Sequence, residues 1–491
     1  MAELCRKVVI SGDKLSKIPY FSEVYPGFST DGIRVSFSIP TKCVLVPSTI
    51  VEFSDVTEVE AVEGERNIVL VEKKKKPRRY VFPKKLYRDF SKLYVEPLKR
   101  GEAPFSSGVV FAGAPGTGKT TLAKLTARVL GIPTYSIAPT ILSKWVGESE
   151  QRLRDVIDEA LRTKPSIIIL DDAEWILNPR NLADSDAGHT SLVWINLHNI
   201  LFDAMQDITN REEPVLFIAT TNVKLSEIDE AFRRYGRFGE TLLFPLPDYE
   251  ALYTVLRDYV DEPTAVRLAK MAVNAGLSTA DAIGLAMRIR YGVEPEIKER
   301  VGRGYRRVHV EHIPDFEKVF KYFPKETFEK RSRLWLPLQE DMALAVATQI
   351  LYSAGKTVMY IVDPRHVVEA VHLANITGSG IIISSALDDQ ILDYVHKNAN
   401  TPVIYVGETP PRLSPFYPLY GLDALKQIVG TKPLVHAVAK MHDVEVSDDL
   451  MRKIENKATD TRALKAILST IVSLGTINEA ILADIDKKQW V

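Results

Sequence analysis

Gly113-Ala114-Pro115-Gly116-Thr117-Gly118-Lys119-Thr120 decides how this chain is read. The string satisfies G-x-x-x-x-G-K-[ST] in full. Its setting is also right: an apolar strand, Val109-Val110-Phe111, comes before it and a helix, Leu122–Leu130, after it. Glycines let successive backbone N–H groups point inward at phosphate oxygens, and the helix N-terminus adds its positive end. Lys119 is placed to reach the β- and γ-phosphates, and the Thr120 hydroxyl to ligate Mg²⁺. The other half of such a site is an acid ending a buried strand. Ile167-Ile168-Ile169-Leu170-Asp171-Asp172 supplies it. Asp171 falls where the metal ion or its water shell needs a carboxylate, and Asp172 where a base would orient the attacking water.

Around this core, residues 80–245 alternate apolar strands (Gly108–Ala112, Pro133–Ile137, Ser166–Leu170, Pro214–Ala219) with amphipathic stretches. That pattern implies a parallel sheet covered on both faces. Residues 246–300 read as helices only. Residues 301–418 repeat an α/β pattern, and 419–491 form a helical tail. Residues 1–79 read as β, with short runs Ile33–Ile39, Cys43–Val46, Val56–Val62 and Asn67–Val71. They end in Lys73-Lys74-Lys75-Lys76-Pro77-Arg78-Arg79, which reads as a solvated linker, a nuclear signal or a phosphate-binding patch. The expected fold class is therefore α/β: a phosphate-loop parallel sheet with a helical lid. A small β-rich domain precedes it and a second α/β plus helical module follows.

At 491 residues the chain is long enough for about three domains. Charged residues make up 26% and the net charge is only -1, which leaves no basic field to drive nucleic-acid binding. Cys5 and Cys43 are too few for a stapled scaffold and fit a reducing compartment. The charged opening MAELCRKVVISGDK has no apolar signal core, and no apolar run approaches the ~18 residues a membrane span needs. A cytoplasmic location is the expectation.

With these residues in place, the chain resembles the AAA+ ATPases, specifically the clade of protein remodellers and unfoldases. The likeness runs from about Phe82 to Gly292. Thr220-Thr221-Asn222 ends an apolar strand as the family's sensor 1 does, and Asn222 would then bond the attacking water or the γ-phosphate. Ala231-Phe232-Arg233-Arg234-Tyr235-Gly236-Arg237-Phe238 is similar to the second region of homology, which makes Arg234 and Arg237 arginine fingers for a neighbouring subunit's nucleotide. Lys144-Trp145-Val146-Gly147-Glu148-Ser149-Glu150 resembles pore loop 1, where Lys144, Trp145 and Val146 would grip an extended polypeptide. Residues Asn178–His189 occupy the position of pore loop 2. Gly276-Leu277-Ser278-Thr279-Ala280-Asp281 resembles the lid signature that brings Ala280 near the nucleotide. The resemblance implies ATP and Mg²⁺ as cofactors, with nucleotide contacts from Gly113 through Thr120 and from Thr121 and Asp171. It also implies a homo-oligomeric, hexameric ring, a protein substrate, and adaptors recruited by the N-terminal domain. The sequence departs from the family at Asp172, where a glutamate is the rule; the carboxylate is one methylene shorter.

Residues from about 330 onward repeat the element order of the first module. Ile381-Ile382-Ile383 stands where Ile167-Ile168-Ile169 stands, with Ser384-Ser385 following. The phosphate loop is replaced by Trp335-Leu336-Pro337-Leu338-Gln339-Glu340-Asp341, which has no glycine and two acids. A degenerate AAA+-like module follows from this order, and an unrelated α/β adaptor is the competing reading. Three functions remain open: a threading unfoldase, a nucleotide-dependent assembly scaffold favoured by Asp172, and a nucleic-acid motor using Lys73–Arg79. Near-zero net charge and the Trp145 loop argue against the last.

Overall fold

The computed structural model describes residues 59–72, 78–137, 148–177, 188–223, 227–228, 230–293, 304–322, 332–413, 417–418 and 421–485. It also describes short strands within the first 58 residues. The chain divides into two compact units, residues 1–245 and 246–491.

In the first unit, the N-terminal strands are β1 (Lys7–Ser11), β2 (Glu23–Val24), β3 (Ser29–Thr30), β4 (Ile33–Ile39), β5 (Cys43–Val44) and β6 (Ile50–Phe53). They form a four-stranded sheet, β3-β4-β1-β6, and a β2-β5 pair. A meander follows: β7 (Val59–Glu63), β8 (Asn67–Glu72) and β9 (Arg78–Pro83). The boundary expected at residue 79 falls inside β9. Ile68, Leu70 and Phe82 of the meander share one buried cluster with Val109, Phe111, Leu122 and Phe244, so residues 59–83 pack with the α/β core. Arg78 and Arg79, read as linker, pair in antiparallel register with Glu72 and Val71.

The α/β core is a five-stranded sheet of β10 (Gly108–Gly113), β11 (Thr134–Ile137), β12 (Ser166–Leu170), β13 (Val215–Thr221) and β14 (Phe238–Phe244). Its order is β11-β12-β13-β10-β14 and every pairing is parallel. β10, β12 and β13 are buried at every residue, as continuous aliphatic runs in a sheet covered on both faces should be. The chain leaves β10 through the helix Lys119–Leu130 and returns at the far edge in β11. The carboxyl end of β10 therefore lies at a switch point in strand order, where open α/β sheets bind ligands.

The second unit opens with three helices, Tyr249–Leu256, Glu262–Asn274 and Thr279–Arg290, the segment expected from the sequence to be the lid, around a core of Leu252, Leu268 and Ala282. Its sheet contains β15 (Tyr305–Val308), β16 (Arg333–Leu336), β17 (Val358–Ile361), β18 (Gly380–Ser384), β19 (Val403–Val406) and β20 (Tyr417–Pro418). The order is β15-β17-β18-β19-β16-β20. Without β15, which is antiparallel to β17, the remaining five are parallel and repeat the order of the first sheet strand for strand. Trp335 and Leu336, expected in the loop, belong to β16. β18 ends at Ser384 as β12 ends at Leu170, which sets Ser385 rather than Ser384 level with Asp171.

β15 also binds the lid. The Tyr305 hydroxyl accepts from the Leu246 N–H at 3.3 Å. The Asn274 amide exchanges two hydrogen bonds with the His309 backbone, at 3.1 and 2.9 Å. Buried Arg307 lies 4.0 Å from Asp248, and Lys270 pairs with Asp443 at 2.8 Å.

Candidate nucleotide site

The phosphate loop joins β10 to the helix Lys119–Leu130. Gly113 has φ +148°, and a Cβ there would lie 2.4 Å from the Phe244 carbonyl oxygen. Gly118 caps the helix at φ +99°, a conformation that side chains rarely tolerate. These two positions fix where glycine must stand. Thr117 Oγ1 donates to the Ala114 carbonyl at 2.8 Å and closes the loop on itself. Pro115 and Gly116 are exposed at its crest, and Thr121 is half-buried one residue beyond Thr120.

Lys119 is 7% exposed. Its Nζ donates to the carbonyls of Gly113 (2.8 Å) and Ala114 (2.9 Å) and to Asn222 Oδ1 (2.9 Å). Asp171 follows the end of β12. Its Oδ1 accepts from Thr120 Oγ1 at 2.8 Å and from Thr220 Oγ1 at 2.7 Å, and Lys124 Nζ stands 3.8 Å from Oδ2. A hydroxyl and a carboxylate already in contact are the hard oxygen donors Mg²⁺ prefers, so the residues fit a nucleotide with its metal ion. Thr120 and Asp171 would hold the ion; the loop N–H groups and Lys119 would hold the phosphates, and the ion would offset their charge.

Asp172 turns outward. Its φ is +47°, uncommon for a residue with a side chain, and it is exposed. Its N–H donates to Thr220 Oγ1 at 3.2 Å. Partial desolvation raises its pKa, the Glu174 and Asp171 carboxylates add to the rise, and Lys119 opposes it. Thr220 is thus bonded to both acids of the pair.

The two arginines differ. Arg237 Nη1 donates to the Ala231 carbonyl at 2.8 Å, and its guanidinium lies 3.8 Å over the Phe202 ring. Arg234 is exposed, and its side chain makes no hydrogen bond or ion pair among the described residues. Both precede β14, whose first residue, Phe238, is level with Gly108; its last, Phe244, is level with Gly113. The arginines therefore sit at the end of the sheet opposite the phosphate loop. Five strand steps separate the two ends, roughly 16 Å.

Ala280 belongs to the second unit, on the helix Thr279–Arg290. Ser278 and Asp281 cap that helix reciprocally, and the Asp281 carboxylate accepts from the Ser278 hydroxyl at 2.7 Å. Lys144, Trp145 and Val146, and most of Asn178–His189, lie outside the described residues. Among the described residues no helix is long and apolar enough to cross a membrane.

Residues 109–246 match the model of the ATPase family associated with various cellular activities (AAA). The chain is 31% identical over 274 residues to an uncharacterized protein, ORF529, of Acidianus two-tailed virus, covering 53% of this chain and 48% of the relative. It is 36% identical over 195 residues to human ATPase family AAA domain-containing protein 2, covering 38% and 14%. To Tat-binding homolog 7 of Caenorhabditis elegans it is 38% identical over 173 residues, covering 34% and 13%. The chain thus spans half or less of the length of these relatives. The loop, the acid pair, the sheet order and the family match agree: residues 109–246 of this chain are an AAA ATPase domain.

Proposed function

We propose that this protein hydrolyses ATP at sites shared between subunits of a homo-oligomeric ring and uses the cycle to remodel or thread protein substrates. The observation that carries the shared site is the register of β10 on β14. It puts exposed Arg234 at the end of the sheet away from its own loop, so the side chain is available to a neighbour's nucleotide and not to its own. Asp171 with Thr120 would hold the metal ion, Asp172 would orient water, and Asn222 would read the γ-phosphate. The polypeptide substrate rests on the sequence of the Lys144–Glu150 loop and the ring on the family; the β-rich N-terminal segment is the proposed adaptor platform. The experiment is ATP turnover with and without an unfolded protein, with the particle mass measured in ATP. Stimulated turnover by an oligomer supports the reading, and turnover by an isolated monomer removes it.

A second reading, a nucleotide-bound scaffold with little hydrolysis, is favoured by Asp172. Its short carboxylate points outward from a left-handed backbone, and misplacing a reacting group by ~1 Å costs on the order of 10²-fold in rate. ATP-dependent assembly without turnover would select it.

A further inference from the structure

Glu174 opens the short helical turn Glu174–Leu177, three residues past the metal-side acid. Its Oε1 accepts from the Asn222 backbone N–H at 2.6 Å and from Thr221 Oγ1 at 3.2 Å. β13 ends at Thr221, so the Asn222 N–H has left the sheet ladder, and the carboxylate supplies the acceptor that the strand no longer offers. A carboxylate receiving an N–H at this distance is a charge-assisted bond, about twice the strength of a neutral one. The same asparagine presents Oδ1 to Lys119 at 2.9 Å. Glu174, Asn222 and Lys119 therefore form one connected line from the turn after β12 to the phosphate loop. A neighbouring bond, Ala173 N–H to the Thr220 carbonyl at 2.7 Å, holds that turn against β13.

We propose that Glu174 is a positioning residue for ATP hydrolysis: it fixes the backbone of Asn222 so that the asparagine side chain faces Lys119 and the γ-phosphate. The three carboxylates after β12 then divide their work, Asp171 toward the metal ion, Asp172 toward water and Glu174 toward the sensor. The inference rests on the hydrolytic reading above for its rate effect, but its binding effect does not need turnover.

The test compares wild type with Glu174→Leu, Glu174→Gln, Asn222→Ala and the Glu174→Leu/Asn222→Ala double variant. For each, kcat is measured, together with the ratio of affinities for a non-hydrolysable ATP analogue and for ADP. Glu174→Leu is expected to lower kcat about ten- to a hundredfold and to erode the analogue-over-ADP preference as Asn222→Ala does. The double variant should be no worse than the poorer single. Glu174→Gln keeps an acceptor oxygen on an arm of the same length and should recover most of the loss. Should Glu174→Leu fail to fold, Glu174→Asp, one methylene short, takes its place. Unchanged kcat and preference in a folded variant overturn the proposal, as do losses that multiply in the double. A wild type that prefers the analogue but turns nothing over sinks the hydrolytic reading alone, and Glu174 then stands or falls on the preference ratio.

Discussion

Lys119 Nζ meets Asn222 Oδ1 at 2.9 Å, joining the loop after β10 to the residue that follows β13. With the Gly113 and Ala114 carbonyls, that bond uses all three ammonium donors on oxygens of the chain. The ammonium is already held where phosphates would arrive. Lys119→Ala should therefore weaken ATP binding at least about a hundredfold, as expected for losing charged hydrogen bonds worth about 1.5–3 kcal/mol each. A nucleotide titration checks this, with circular dichroism to confirm the fold. Unchanged affinity would remove the site assignment.

Thr220 supplies a second prediction. It is 1% exposed and bonds Asp171 Oδ1 while receiving the Asp172 N–H. Thr220→Val keeps the shape and removes both bonds. Stability should fall by about 1–3 kcal/mol, and ATP binding should need more Mg²⁺, because Asp171 Oδ1 keeps only the Thr120 hydroxyl as a hydrogen-bond donor. A magnesium titration of nucleotide affinity reads the effect. A curve that superimposes on wild type would mean Asp171 is oriented without Thr220.

Arg234 and Arg237 should separate cleanly. The exposed Arg234 side chain makes no hydrogen bond or ion pair among the described residues, so Arg234→Ala should leave the melting temperature alone and abolish turnover. Mixing it with Lys119→Ala should restore part of the activity, since one subunit keeps the pocket and the other the arginine. Arg237→Ala also removes a cation–π contact and a backbone bond, a cost of about 1–3 kcal/mol that lowers the melting temperature. Mixtures no better than their parts would end the shared-site model.

His309 makes the second unit acid-sensitive. Its ring stacks on Tyr249 with centroids 3.9 Å apart, and Tyr352 Oη lies 3.4 Å from Nδ1. Burial, helped by Lys270 and opposed by Asp248, lowers its pKa from 6.5 to about 4. The unfolded chain therefore takes up a proton near pH 6.5 that the folded chain refuses. The His309 contribution to stability is constant above that pH and is lost as pH falls from about 6.5 toward 4, by up to about 3 kcal/mol. Melting curves between pH 4 and 8 should show a slope that His309→Asn flattens; an equal slope in the variant would exclude this group as its source.

The second sheet repeats the strand order of the first, yet its helix Glu340–Ser353 begins with an acid where the first begins with Lys119. The Glu340 carboxylate accepts from Tyr360 Oη at 2.5 Å and from Ser384 Oγ at 3.4 Å. A carboxylate at a helix N-terminus occupies the electrostatic niche a phosphate would take. Calorimetry should give one nucleotide per chain. A stoichiometry near two, or tight ATP binding that survives Lys119→Ala, would overturn this.

The sequence made the phosphate loop and Asp171 plain because both are local signatures: glycines at fixed spacing and acids ending an aliphatic run. What joins them was hidden. Thr220 to Asp171 and Glu174 to Asn222 cross between strands nearly fifty residues apart, and only parallel register brings them together. β9 read as a basic linker because Arg78 and Arg79 look solvated, yet the register sets Arg78 opposite Glu72. β15 carries Arg306 and Arg307, a composition that hides a strand until Asp248 is seen beside the buried guanidinium. The anchoring of Arg237 on Phe202 left no mark in the sequence, since nothing in either segment names the other.

β15 does more than extend a sheet. Paired along β17 and bonded to the lid through Tyr305, Arg307 and the His309 backbone, it turns what would be a tether into a weld. A tether absorbs motion; a weld passes it on. Any swing of the lid helices is then also a swing of the second sheet, with the whole module as the lever arm.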